Sequence, residues 1–279
     1  METKTSSFER RTLGRTGLNV GRLGISASYG VPGDALERAF ERGVNYIYWG
    51  SRRTASFGEG LKRLHSQRDK LVLVIQSYTR IAGLMAWSLE RALRALSYHD
   101  ADVLLLGMWN KPVAPRILDA ARHLKRRGLV RFLAVSTHER TMVPKFATGD
   151  DFDIVHFRYN AAHPGAEKEI FPLLPVANRP GLVAFTATSW GQLLGKSSLQ
   201  GFFLGSHPLP KGERVPTAED CYRFVLSRQE VDVCMTGPAD EARMNEAFEA
   251  LKRGPMTEEE MAWMRRVGRA VAGNQAIDT

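Results

Sequence analysis

Cysteine is nearly absent: Cys221 and Cys234 are the only two thiols in 279 residues. Both fall inside apolar-periodic segments, which excludes a disulfide framework and reads as buried thiols in a reducing compartment. Neither lies in a Cys-x-x-Cys. No two of His65, His99, His123, His138, His156, His163 and His207 form a recognised ligand spacing, so no metal is expected. There is no uncharged apolar run long enough to span a bilayer, and the segment from Met1 to Arg11 has no apolar signal core. The expectation is a soluble cytoplasmic protein, with no membrane partner. Aromatic residues do not interleave with a basic stripe, which argues against nucleic acid. Also missing are a Gly-x-Gly-x-x-Gly turn after the first apolar run, a Gly-x-Ser-x-Gly elbow and a Walker loop. The first of these absences weighs against a dinucleotide-binding open sheet.

What is present suits a sizeable core: 43% hydrophobic and 25% charged residues. The net charge of +9 either attracts anionic ligands or belongs to solvated helix faces such as Ala121-Arg122-His123-Leu124-Lys125-Arg126-Arg127. Apolar runs fall at 20–27, 44–49, 71–76, 102–107, 130–136, 152–158, 181–187 and 231–236. Between them lie helix-patterned segments at 33–42, 57–67, 83–97, 115–127, 140–147, 166–176, 218–229 and 239–252. Eight strands alternating with eight helices predict a parallel (β/α)₈ barrel in one domain. Gly43, Gly128, Gly181 and Gly254 are expected at helix ends, Asp34 as a cap, and Pro115 in a first helical turn. Lys196 to Pro216 is a long connection rich in Gly, Ser and Pro, on the side where barrels place their active sites. A last helix is expected over about 257–272.

Several segments, in order, resemble the aldo/keto reductase family. Arg11-Thr-Leu-Gly-Arg-Thr-Gly-Leu-Asn-Val-Gly-Arg-Leu-Gly is similar to its opening hairpin and first barrel strand. Ala39-Phe-Glu-Arg-Gly-Val-Asn-Tyr-Ile resembles its first helix and second strand, and Ser88-Leu-Glu-Arg-Ala-Leu-Arg-Ala-Leu followed by Asp102-Val-Leu-Leu-Leu its third helix and fourth strand. Gly128-Leu-Val-Arg-Phe-Leu-Ala-Val-Ser resembles the fifth strand, and Arg158-Tyr-Asn stands where the family has Glu-Tyr-Asn. The resemblance covers roughly residues 10 to 255.

The resemblance also implies a catalytic tetrad, and there the sequence departs from it. Tyr48 stands at the aspartate position, Arg53 close to the tyrosine, Gln76 at the lysine and Gly107 at the histidine. Hydride transfer to a carbonyl needs a proton donor at the developing alkoxide, helped by positive charge or hydrogen-bond donors nearby. Gln76 cannot depress a tyrosine pKa by charge, and a glycine orients nothing.

Tyr48, Arg53 and His156 are the candidate substitutes. Tyr48 is an acid beside a guanidinium, or an aromatic filling vacated space. Arg52-Arg53 either binds a carboxylate or phosphate or is a solvated pair. His156, at the position of the family glutamine that bonds the nicotinamide carboxamide, is a replacement for it, a base, or a satisfied interior group. Tyr78, Trp109, Lys111, His138 and Arg158 are expected at the same end of the barrel, with Met108-Trp109 as a possible apolar wall and Phe202-Phe203 as ordinary packing.

For NADP(H), the resemblance implies Ser136 and Asn160 at the carboxamide, Phe185 stacking on the nicotinamide, and Gly237 and Arg243 near the adenosine phosphate. The family arginine two residues after that glycine is Ala239 here. The first reading is an aldo/keto-reductase-like barrel that binds NADP(H) and a small anionic or aromatic molecule, with non-standard or lost oxidoreductase activity. The alternatives are a non-catalytic binding or regulatory barrel, and a lyase or isomerase reusing the pocket. A pocket blocked by Tyr48 and Trp49 would favour the binding protein.

Overall fold

The computed structural model describes residues 8–50, 52–195 and 212–273. A two-stranded hairpin, β1 (Arg11–Thr12) and β2 (Asn19–Val20), precedes the barrel strands β3 (Leu23–Ser26), β4 (Tyr46–Trp49), β5 (Val72–Ser77), β6 (Ala101–Leu106), β7 (Val130–Thr137), β8 (Ile154–Arg158), β9 (Gly181–Phe185) and β10 (Val233–Thr236). Each barrel strand pairs in parallel with the next, and β10 closes on β3. The surrounding helices are α1 (Gly33–Glu41), α2 (Ala55–Arg63), α3 (Ala82–Leu96), α4 (Pro115–Arg126), α5 (Met142–Thr148), α6 (Ala166–Glu169), α7 (Ala218–Leu226), α8 (Glu241–Arg253) and α9 (Glu258–Ala272). The expected (β/α)₈ barrel, hairpin and final helix are all present.

Apart from Arg131 and Phe132 near the start of β7, the barrel strands are buried on both faces over nearly all their length, which is why they read as continuous apolar runs. Tyr46, Tyr48, Val72, Val74, Val103, Leu105, Ala134, Ile154, Val183 and Val233 fill the interior, with Leu13 and Val20 of the hairpin region closing it below. The alternate residues, Ile47, Trp49, Leu73, Ile75, Leu104, Leu106, Val135, Val155 and Phe157 among them, pack outward against the helices. Trp49 stacks on Phe57 with ring centroids 6.0 Å apart. It therefore belongs to the helix–sheet layer and cannot block the barrel mouth.

Local expectations held unevenly. Pro115 does open α4, and Gly43, Gly128 and Gly254 take positive φ where helices end. Asp34 is not the cap of α1: Pro32 holds that position, and Asp34 accepts from Arg63 Nη2 at 2.7 Å. Gly181 opens β9 instead of ending a helix, and a β-carbon there would lie 2.5 Å from Leu13 Cδ1. The 166–176 segment shortens to α6 and a 3₁₀ turn, Phe171–Leu173, broken where Pro172 removes a donor. Most of the Lys196–Pro216 connection, with Phe202 and Phe203, lies outside the described residues.

The N-terminal rim carries a feature that sequence reading missed. Asn45, Asp102, Asp153 and Asp232, each at or just before the start of a strand, accept from the backbone N–H of Gly21, just before β3, and of Leu73, Leu133 and Leu182 on the preceding strand, at 2.8–3.0 Å. The three carboxylates also pair with Arg68 and Arg131, with Lys125, and with Arg179. Part of the basic excess therefore fixes strand register at the rim where barrels keep stability rather than chemistry.

Candidate active site

At the opposite rim the inward-facing positions of β4, β5, β6, β7 and β8 are Tyr48, Gln76, Gly107, Ser136 and His156 with Arg158. A β-carbon on Gly107 would collide with the Gln76 amide and would lie 2.7 Å from Tyr78 Cε1. The space above Gly107 is thus filled by a neutral amide and a phenol ring. Tyr48 is 9% exposed, and its ring folds back over Gly50, where any β-carbon would collide with the phenol. Arg53 is exposed as a residue, yet its Nη2 donates to the Gln76 carbonyl at 2.9 Å. Partial burial of that guanidinium lowers its pKa, and the Tyr48 phenol lies near enough to act on it. Tyr48, Arg53 and Gln76 are therefore brought together. Arg52 is exposed, and so is Lys111.

His156 lies deeper. It is 3% exposed, and its Nε2 shares a 2.7 Å hydrogen bond with the Tyr46 hydroxyl. Burial drives its pKa down to about 3, so the ring is neutral at physiological pH. Burial pushes Tyr46 well above the usual phenol value. Neither is a ready proton donor at neutral pH, and His156 Nε2 is already engaged by Tyr46.

Two residues assigned to a carboxamide hold the rim itself. Met108 and Thr186 adopt left-handed backbone, φ 59° and 61°, which non-glycine residues take only when their surroundings enforce it. Ser136 Oγ accepts from Met108 N at 2.9 Å, and its carbonyl accepts from Trp109 N at 2.8 Å. Asn160, fully buried, donates from Nδ2 to Thr186 O at 2.8 Å, while its Oδ1 accepts from Ala162 N and His163 N. Arg80 straps the same loops, donating to Gly107 O at 2.8 Å and Met108 O at 2.7 Å, its guanidinium 4.1 Å from the Trp109 ring centroid. The Asn160 turn was legible in Asn-Ala-Ala-His-Pro-Gly, a side-chain-bonded turn sequence. Nothing in the sequence announces Arg80 or the left-handed Met108.

NADP(H) fits one end of the mouth better than the other. Phe185 stands half-buried at the end of β9 with a ring face for stacking, although His138 already touches it at 5.1 Å between centroids. At the phosphate end, Tyr29 covers Gly237, with Cδ2 2.7 Å from where a β-carbon would be. Asp240 caps α8, accepting from Arg243 N at 2.9 Å, and Arg243 Nε leans back to within 3.7 Å of the same carboxylate. Glu241 is held bidentately by Arg38. Carboxylates at this helix start suit a ribose hydroxyl and oppose a 2′-phosphate. Among the described residues no group of His, Cys, Asp and Glu is arranged to hold a metal, and no helix is long and apolar enough to cross a membrane. Cys221 and Cys234 are both buried.

No protein-family model and no curated protein matches the chain. Solved structures do. An aldo-keto reductase from Bacillus halodurans in its holo form superposes with a TM-score of 0.76 at 18% identity, covering 96% of this chain and 99% of that one. An aldo/keto reductase from Klebsiella pneumoniae in complex with NADP and acetate gives 0.71 at 19% identity, covering 96% and 97%. At such identities the likeness is one of architecture, and the chain has the fold of the aldo-keto reductases.

Proposed function

We propose that this chain is a small-molecule-binding barrel of aldo-keto reductase type that takes NADP(H) at its C-terminal mouth and does not reduce carbonyls by the tyrosine–lysine–histidine route. One observation carries the reading: over Gly107 the Gln76 amide and the Tyr78 ring fill the place of an orienting side chain, and Arg53 beside them is a guanidinium that keeps its protons at neutral pH. Tyr48 remains the best acid among these groups, next to Arg53. A lyase or isomerase with His156 as its base finds no support in a ring bonded to Tyr46 inside the barrel. The cofactor half of the proposal rests on the Klebsiella likeness, whose bound molecules include NADP, and on the ring of Phe185 at the end of β9.

The test is a fluorescence or calorimetric titration with NADPH and NADH. NADPH should bind, and Asp240→Ser, which keeps a capping hydroxyl and removes the charge, should tighten NADPH roughly fivefold, about 1 kcal/mol, while weakening NADH. Absence of binding by both dinucleotides would remove the cofactor half. An unchanged NADPH affinity in the variant would mean that the 2′-phosphate does not meet Asp240.

A further inference from the structure

We propose that the barrel mouth holds an anion site centred on Arg158 and flanked by His138 and His163, which takes the carboxylate or phosphate of a small molecule. It rests on the reading of this mouth as a ligand site and names the chemistry of that ligand.

Other sheltered arginines among the described residues bond to protein acceptors, although Arg68 and Arg228 each leave a buried Nε without one. Arg22 donates to the carbonyls of Leu226, Val231 and Asp232. Arg179 grips Asp232 with two 2.7 Å bonds, Arg223 grips Glu260, and Arg68 reaches Asp100 and Asp102. Arg158 differs. It ends β8 on the inward-facing side, two residues above His156, and is half-buried. Among the described residues no carbonyl or carboxylate accepts from it, although its guanidinium is partly desolvated.

The charges that act on it are of its own sign. Arg140 lowers its pKa further, and Arg158 in turn lowers those of His138 and His163. The nearby carboxylates are engaged elsewhere: Glu169 with Arg140 at 2.9 Å, Glu139 with Thr141, and Glu167 with Tyr159 and Arg265. An arginine with unused donors, desolvated in a positive field, is the arrangement that an incoming anion relieves.

Register supplies the rest of the site. Thr137 pairs with Phe157 and Arg158 with Phe185, so His138, Arg158 and Phe185 form one row across β7, β8 and β9. The His138 and Phe185 rings meet at 5.1 Å from either side of the strand that bears Arg158. They give the anion a flat wall beside its charge partner.

Calorimetric titration with inorganic phosphate and, separately, benzoate tests the site, while NMR follows the ring signals of His138 and His163. At least one anion should bind and shift both rings. Arg158→Gln should weaken it at least tenfold, Arg158→Lys should retain most of the affinity, and Arg53→Met and Arg243→Gln should change it less than threefold. Thermal melts establish that each variant folds; if Arg158→Gln does not, the lysine variant and the ring shifts decide. Phosphate alone points to a phosphorylated ligand, benzoate alone to a carboxylate, and either supports the site. Binding that is lost in Arg243→Gln but kept in Arg158→Gln overturns it, as does binding of neither anion. Anion binding without NADPH binding leaves the site standing while the cofactor reading falls. NADPH binding without any Arg158-dependent anion does the reverse.

Discussion

His156→Gln should remove much of the protein's sensitivity to acid, leaving the variant more stable than the parent by about 3 kcal/mol at pH 4. The buried imidazole has a pKa of about 3 in the fold against 6.5 when exposed, and burial is the cause. A group whose folded pKa is depressed supports the fold above its unfolded value and withdraws that support as pH falls. The loss therefore begins near pH 6.5 and continues until about pH 3. Glutamine still offers a partner to the Tyr46 hydroxyl and carries no titratable charge, so the two proteins should agree within roughly 1 kcal/mol at pH 7. His163, depressed to about 4 mainly by burial, contributes equally to both. Urea unfolding at pH 7 and pH 4 measures the difference. Parallel losses in the two proteins would mean that His156 already reaches solvent and belongs to the mouth.

Asp232→Ala should cost about 3 kcal/mol or more and lower Tm by roughly 6–12 °C, the second large effect. Asp232 is fully buried, accepts two 2.7 Å bonds from Arg179 and one of 2.8 Å from Leu182 N, and lies 3.5 Å from Arg11 Nε. Its removal leaves a partly buried guanidinium and a strand-initiating N–H without their acceptor, and loosens the hairpin beneath the barrel. Asp232→Asn, which keeps the acceptor for Leu182, should lose less. A Tm unchanged within 2 °C in the alanine variant would show that the rim carboxylates do not fix register as described.

The barrel was legible in the sequence because strands buried on both faces leave unbroken apolar runs, and eight such runs appear. Side-chain direction then follows from alternation: Tyr48 faces inward and Trp49 outward, so only one of this adjacent pair stands at the mouth. Site chemistry was less legible. His156 sits on β8 and Asn160 just beyond it, but their partners are Tyr46 on β4, 110 residues away, and Thr186 just after β9, 26 residues away. A polar residue's identity does not say whether its hydrogen bonds go to a ligand or to the protein. Arg158 shows the converse. Its sequence neighbours gave no reason to rank it above Arg53, and only the geometry reveals that nothing among the described residues accepts from it. The carboxylates of the lower rim were passed over because single acids before strands look like ordinary turn residues.

We propose that the mouth lacks the reductase proton relay although the barrel is kept. Reduction of 4-nitrobenzaldehyde by NADPH, followed as loss of absorbance at saturating aldehyde and neutral pH, tests it most directly. The rate should be indistinguishable from that without protein, because Gln76 and Gly107 supply neither a charge nor an orienting side chain, and Arg53 keeps its protons at neutral pH. Turnover on the order of 1 s⁻¹ or faster, within the ordinary range of enzymes, and abolished in Tyr48→Phe, would contradict it.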